Sequence, residues 1–326
     1  MVETARKERL ILGISAYYHD SAAALLRGDA IVAAAHEERF SRKKHDSSFP
    51  RRAAAFVLKD AGITLADLDC VAFYDKPMLK FERLMATYQG YAPRGLKSFM
   101  ASVPLWLRDK LFLGRTLKRE LAELGPGSPG ILYPEHHLSH MASAFYPSPF
   151  NEAAILTIDG VGEWATSSIG LGQGRSITIL KQLDFPHSLG LLYSAFTSFC
   201  GFRVNSGEYK LMGLAPYGDP DSGQLAKWKQ AILDEMVDLR EDGSLLLNME
   251  YFGYATALTM CRKGRFEKLF GIPARKRESD LEKDYMNLAL AIQQVAEEAV
   301  TRMAATARQL TGCPRLVMAG GVALNC

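Results

Sequence analysis

Cysteine is scarce: the five present (Cys70, Cys200, Cys261, Cys313, Cys326) are odd in number and scattered. No Cys-x-x-Cys pair occurs, so neither a disulfide framework nor a cysteine zinc site is indicated. Long apolar runs are missing too. The stretch from Phe99 to Leu107 is interrupted by Pro104 and is too short to span a bilayer. The N-terminus, Met-Val-Glu-Thr-Ala-Arg-Lys-Glu-Arg and a short apolar run broken by His19 and Asp20, is a poor signal peptide. A net charge of +3 over 326 residues gives no electrostatic grip on nucleic acid. The expectation is a cytoplasmic protein with no nucleic-acid partner and no membrane association. Histidine is also sparse, with seven in all, so any clustering of them is informative.

What is present is an ordinary globular composition, 48% hydrophobic and 23% charged. It is long enough for two lobes, each with its own core. Two segments repeat one pattern. The first runs from Leu10 to Ser15, turns through His19-Asp20-Ser21, continues over Ala22 to Leu26, turns at Gly28-Asp29 and ends over Ala30 to Ala35. The second runs over Ala153 to Ile158, Asp159-Gly160-Val161-Gly162-Glu163, Ala165 to Leu171, Gly172 to Gly174, and Ser176 to Leu180. Each reads as strand, acid-bearing turn, strand, glycine-marked turn and strand.

A helix over Phe49 to Ala61 follows the first triplet, with Pro50 at its start and Gly62 at its end. Near the end of the chain, Leu281 to Leu310 predicts a long amphipathic helix, and Arg315 to Ala319 a short buried strand. That strand runs into Gly320-Gly321, where backbone can approach a ligand closely, although an ordinary tight turn would look the same. A strand triplet followed by helices, occurring twice, is the organisation of an α/β, actin/hexokinase-like (ribonuclease-H-like) duplicated fold. The expected lobes are residues 1–150 and 151–326, facing a nucleotide and metal cleft.

The strongest local signal is Pro134-Glu135-His136-His137-Leu138-Ser139-His140 through Pro147. Pro134 suits a first helical position and Glu135 complements the positive helix end. On a helix, His136 and His140 share one face, whereas His137 points about a quarter turn away. Two neutral imidazoles on one face chelate a divalent metal, though a surface histidine cluster has the same spacing. Asp159, in the second acid turn, completes a two-histidine, one-carboxylate set suited to iron(II) and also used by zinc. The zinc-protease pattern His-Glu-x-x-His is absent.

Longer motifs then carry a resemblance. Tyr18-His19-Asp20-Ser21-Ala22-Ala23 is followed by Glu37-Glu38-Arg39-Phe40-Ser41-Arg42-Lys43-Lys44-His45-Asp46 and Phe49-Pro50. With His136 to His140, Thr157 to Glu163, Gly207 to Gly218 and Gly320 to Cys326, they resemble the NodU/CmcH-type O-carbamoyltransferases, in that family's order. The resemblance implies transfer of a carbamoyl group to a hydroxyl of a small-molecule or natural-product acceptor, as in antibiotic biosynthesis. Carbamoyl phosphate and ATP would first give carbamoyl-adenylate, and iron(II), zinc or another divalent metal would hold it.

It further implies His136, His140 and Asp159 as metal ligands and His19 as the general base, against the plainer reading of His19 as a loop-capping turn residue. Lys44, Lys210, Gly320, Gly321 and Asn325 would bind phosphate, carbamoyl or nucleotide groups, with Gly207 to Gly218 expected as a loop lining the nucleotide. A homodimer is compatible with the family. Members run on past Cys326, with a further aspartate ligand and an adenylate-forming domain. The second lobe is therefore expected to be incomplete and the chain inactive alone. Two other readings stand beside this one: a tRNA threonylcarbamoyl transferase-like enzyme and a non-catalytic nucleotide-binding module.

Overall fold

Alternating burial along short strands and three-to-four-residue burial stripes along helices set the architecture. The computed structural model describes residues 8–109, 112–277 and 279–325, with side chains 104–109 left out. The chain forms two compact units, Met1–Phe81 with Val103–His136, and Glu82–Ser102 with His137–Cys326. Strands β1 (Leu10–Ser15), β2 (Ala22–Arg27) and β3 (Ala30–His36) come first. Helices α1 (Glu38–Ser41) and α2 (Arg51–Asp60) and strand β4 (Cys70–Phe73) follow. Then come α3 (Pro77–Tyr91), α4 (Leu96–Asp109), α5 (Leu113–Ala122) and β5 (Gly130–Leu132).

The first unit is built on a mixed sheet in the order β3-β2-β1-β4-β5. The β1-β2 and β2-β3 pairs are antiparallel, and β1-β4 and β4-β5 are parallel. Period-two alternation sends Leu12 and Ile14 of β1 and Ala23 and Leu25 of β2 into one core. Helix α2 meets them with Ala53, Ala54, Val57 and Leu58, and α5 with Leu113, Leu117 and Leu121, a stripe at helical spacing.

The second unit starts within α6 (His136–Phe145) and continues through β6 (Glu152–Ile158), β7 (Ala165–Gln173), β8 (Ser176–Asp184) and α7 (Leu189–Phe199). Then follow α8 (Glu208–Leu214), α9 (Gly223–Ala231), β9 (Val237–Leu239), β10 (Leu245–Leu247), α10 (Arg265–Phe270), α11 (Lys283–Thr311) and β11 (Leu316–Ala319). Its main sheet has the order β11-β6-β7-β8, with β6-β7 and β7-β8 antiparallel and β11-β6 parallel. This order and polarity repeat those of β4-β1-β2-β3.

Strand β6 is buried on both faces, as its unbroken Ala-Ala-Ile-Leu-Thr-Ile run requires. Ala154, Leu156 and Ile158 pack with α7 and α11 residues such as Phe196 and Ile292, while Ala153 and Ile155 pack with Met141 and Phe145 of α6. Beneath α7, the Phe266 ring lies 5.3 Å from Phe196 and from Phe199 and 5.8 Å from Phe270, in tilted and edge-on contacts.

Helix α6 lies on a strip of β7 cleared of side chains. A Cβ on Gly170 would come 3.0 Å from the Met141 sulfur, and one on Gly172 would come 2.7 Å from the Phe145 ring. Ser168, Gly170 and Gly172 share a strand face, while His137, Met141 and Phe145 share a helix face. Each helix residue thus meets a small strand residue.

Several sequence expectations change. Gly207 to Gly218 is not a loop: α8 and a short 3-10 turn over Ala215–Tyr217 occupy it. Glu208 complements the helix start and Leu211 and Leu214 are buried, so helix-forming residues override Gly213 within the helix and the glycines and proline beside it. Strand β7 continues through Gly172 to Gln173 because Phe145 fills the space beside that glycine. Helix α6 begins at His136, after Pro134 rather than on it. The four described cysteines are free, and no helix among the described residues is long and apolar enough to cross a membrane.

Two substitutions test this packing. Phe266→Ala should cost about 3–5 kcal/mol in urea unfolding, as a fully buried aromatic leaves a cavity. Gly172→Ala, although a single methyl, should cost about 1–3 kcal/mol because the Phe145 ring must move. An unchanged urea midpoint for Gly172→Ala would show that α6 is not seated on β7 as described.

Candidate functional site

The histidine helix is oriented by its buried face. His137 is 2% exposed, and its Nδ1 pairs with Thr157 Oγ1 on β6 at 2.8 Å and with Ser168 Oγ on β7 at 3.1 Å. With Met141 and Phe145 also buried, the helix cannot roll without breaking those bonds. The turn at which the two units divide falls between His136 and His137, inside this continuous helix. His136 and His140 therefore stand one turn apart on the same helix face.

Asp159 ends β6, and its turn is seated on the start of α7. The Ser188 hydroxyl caps α7 by accepting from the Leu191 N–H at 3.0 Å, and donates to the Gly160 carbonyl at 2.6 Å. A Cβ on Gly190 would fall 2.6 Å from the Asp159 carbonyl, so only glycine permits that approach. The Arg83 guanidinium donates to the Gly162 carbonyl at 2.8 Å, holding the far side of the turn. The Gly321 N–H donates to Asp159 Oδ1 at 3.2 Å, leaving Oδ2 at 3.5 Å from His140 Nε2.

Donor atoms of His136, His140 and Asp159 all lie within 4.8 Å of one another, the one such cluster among the described residues. An ion with bonds of about 2.0–2.2 Å in tetrahedral array sets its ligand atoms roughly 3.4 Å apart. The His140–Asp159 separation already matches that spacing, and both side chains are partly open, at 27% and 22% exposure. Two imidazoles and a carboxylate suit iron or zinc better than calcium or magnesium. The residues present therefore fit a divalent transition metal.

The remaining candidates fall in different settings. Gly320 has φ +98°, and a side chain there would run into the Ile158 carbonyl. The close approach made by the glycine pair is thus to β6 and to Asp159. The Asn325 amide forms a reciprocal pair with Gln293 of α11, at 2.6 and 3.1 Å, and Tyr193 donates to the same Gln293 at 2.9 Å. Lys210 lies exposed on α8, and Lys44 lies exposed in the turn before His45.

In the first unit, His19 is exposed in the turn after β1, and its Nδ1 lies 2.9 Å from Asp20 Oδ2. The other oxygen of Asp20 lies 3.1 Å from His45 Nδ1. Burial raises the Asp20 pKa, but the bonds from His45 and His19 outweigh it, and the carboxyl ends below its ordinary range. Asp46 next to His45 is held at about 2, chiefly by the Ser48 hydroxyl and then by the Ser41 hydroxyl.

Asp20 and His45 stand in separate motifs 25 positions apart, so their pairing is not visible in the sequence. His137, off the face of the candidate pair, has the same helical phase as Met141 and Phe145, and that phase is the signal of its buried role.

Asp46 gives a pH prediction. Its folded pKa is depressed from 3.8 to about 2, so its contribution is complete above 3.8 and is lost as pH falls through about 2. Asp46→Asn should flatten the fall in thermal midpoint across that window and leave the midpoint's slope at higher pH unchanged. Equal acid slopes for the two proteins would show that Asp46 is not held this way. At the helix, His137→Ala should destabilise the fold by about 1–3 kcal/mol, because it strips two buried hydroxyls of a partner. Urea unfolding measures it.

Relatives bear on what this arrangement serves. Residues 10–326 match the family described as Carbamoyltransferase N-terminus. An uncharacterized protein of Synechocystis sp. is 56% identical over 320 residues, 97% of this chain and 51% of that protein. Nodulation protein NolNO of Sinorhizobium fredii is 33% identical over 314 residues, 95% of this chain and 41% of that protein. The chain thus spans about half or less of the length of these curated relatives. A solved Ppx/GppA phosphatase of Aquifex aeolicus is similar at a TM-score of 0.33 and 10% identity, over 96% of this chain and 95% of that one. At that TM-score the likeness carries no argument about fold or function. The family match is of another order, because it takes in both hairpin triplets, the histidine helix and the Gly320-Gly321 turn. The chain belongs to the carbamoyltransferase N-terminus family.

Proposed function

We propose that this chain is the acceptor-side part of an O-carbamoyltransferase, moving a carbamoyl group from carbamoyl-adenylate to the hydroxyl of a small-molecule acceptor. The observation that carries the reading is the His136, His140 and Asp159 cluster, assembled within 4.8 Å in a chain of the carbamoyltransferase family. The duplicated actin-like architecture is part of the proposal. Its support is the strand order shared by the two sheets.

In this reading His136, His140 and Asp159 hold a divalent ion, iron(II) or zinc. When bound, it would supply Lewis-acid neutralisation of phosphate charge. The chain's own groups do the rest. The acceptor oxygen attacks the carbamoyl carbon, a new C–O bond forms, and the C–O bond to the adenylate phosphate breaks to release AMP. The hydroxyl proton passes to a neutral His19, which is exposed in the turn after β1. Lys44 and Lys210 offer cationic heads for the phosphate groups of the donor. The Gly320-Gly321 turn offers backbone to the nucleotide, and Asn325, paired to Gln293, holds that turn to α11. ATP and carbamoyl phosphate enter the proposal as the sources of the donor.

Two measurements test it. Protein purified without oxygen should hold about one iron or zinc per chain, and His136→Ala and His140→Ala should each lose most of it, since one missing ligand typically costs at least about 10–100-fold in affinity. Equal metal content in all three proteins would sink the metal assignment. Incubated with synthetic carbamoyl-adenylate and a panel of alcohols, the chain should add one carbamoyl group, read by mass spectrometry, and His19→Ala should slow this by about 10²–10⁴-fold. No carbamoylated product from any alcohol would refute the transfer.

A further inference from the structure

The turn after β1 and the turn before α2 carry a carboxylate bridged between two imidazoles, His19–Asp20–His45, whose geometry exceeds what holding two loops together needs. Tyr17, Asp20, Arg42 and His45 have φ of +70°, +49°, +60° and +53°, and among the described residues the only other non-glycine residue with positive φ is Asn205. Such backbone persists only where surroundings over-determine it, and it concentrates at functional sites. The surroundings here are clear. The Tyr17 N–H donates to the Ser47 carbonyl and the Ser21 N–H to the Asp46 carbonyl, both at 2.8 Å. The Glu38 carboxylate accepts from the His45 N–H at 3.2 Å. Backbone alone thus already joins the two turns, and the side chains of His19, Asp20 and His45 are spare for another task.

We infer that Asp20 is a positioning residue that locks His19 in the Nδ1–H tautomer, with His45 pinning the carboxylate in place by its second oxygen. Asp20 Oδ2 lies 2.9 Å from His19 Nδ1, and Oδ1 lies 3.1 Å from His45 Nδ1. An ionised carboxylate only accepts hydrogen bonds, so both Nδ1 atoms must carry hydrogens. In each neutral ring the lone pair then sits on Nε2. A histidine ring in water prefers the opposite tautomer, with its hydrogen on Nε2 and no lone pair there. Asp20 therefore presents a bare Nε2 on the exposed His19 ring, the atom a general base needs. The carboxyl is ionised at neutral pH, since its bonds to the two imidazoles hold it below the ordinary carboxylate range against burial. The same division of labour, a carboxylate fixing the tautomer of a histidine base, recurs in serine hydrolases on unrelated folds.

The inference rests on the reading of His19 as proton acceptor, and its test separates the two. Asn is the gentlest replacement for Asp20, because it also tolerates left-handed backbone. An amide presents one acceptor and one donor, so in Asp20→Asn it cannot accept from both rings. At least one imidazole must then leave the Nδ1–H form. Imidazole ¹⁵N shifts report the tautomer directly, with His19 and His45 assigned through His19→Gln and His45→Gln. Wild type should show both rings as Nδ1–H at pH 8, and Asp20→Asn should show the His19 ring as Nε2–H. With synthetic carbamoyl-adenylate and a carbamoylated alcohol from the panel, kcat of Asp20→Asn should fall by about 10²–10⁴-fold while KM stays nearly constant.

A wild-type His19 ring with its hydrogen on Nε2, or a His19 ring unchanged in Asp20→Asn, would overturn the inference and leave the base assignment standing. Tautomers that shift as expected with kcat unmoved would overturn it by the other route, because His19 would then not be the base. The wild-type tautomer is read without the Asp20 variant, so the test survives an Asp20→Asn protein that fails to fold.

Discussion

The seating of α6 on β7 is the contact on which the rest of the candidate site depends. Three helix residues at successive turns, His137, Met141 and Phe145, come down on Ser168, Gly170 and Gly172 of one strand face. That match fixes the helix in rotation and in height together. A helix advances about 100° and 1.5 Å per residue, so a slip by one position would carry His136 and His140 off their face. None of the three contact residues is a candidate ligand. The candidate pair His136 and His140 is oriented by the adjacent flank of its own helix, through one buried polar residue and two apolar ones.

Asp159 is positioned on an independent principle. No packing stripe sets it; instead a turn is tied down by hydrogen bonds, through Ser188 on one side and Arg83 on the other. Gly190 lets the start of α7 approach the Asp159 carbonyl. A helix held by packing and a turn held by polar contacts converge on one set of donor atoms. Each can be loosened separately, so a fault in either scaffold would spread the donor atoms of the cluster without removing any of its side chains.

What was legible in the sequence followed the range of the interactions involved. The i,i+4 histidine pair, the strand triplets and the long α11 are local patterns with a fixed period, and the structure has them within a few residues of the expected bounds. Asp159 was legible because a strand-turn pattern put it at a strand end. Gly172 looked like a turn residue and Gly170 like any strand position, and only the Phe145 and Met141 side chains from another element reveal why both are small. Asp20 and His45 were visible within motifs, but their shared bond depends on two turns folding against each other. Gly207 to Gly218 misled because Gly207 precedes a helix that carries Gly213 in its last turn and runs on into a 3-10 turn holding Pro216, so the buried Leu211 and Leu214 decide the conformation.

The Gly321 N–H on Asp159 Oδ1 has a consequence for how the second unit would respond to ligands. One carboxylate is shared between a backbone donor in the Gly320-Gly321 turn and, through its other oxygen, the histidine pair. Charge drawn toward one oxygen is charge withdrawn from the other. An ion held on Oδ2 and a molecule engaging the turn would therefore each change the other's affinity, and thermodynamic reciprocity makes the two factors equal. The carboxylate would act as a two-ended balance, and the occupancy of one end could be read from the affinity at the other.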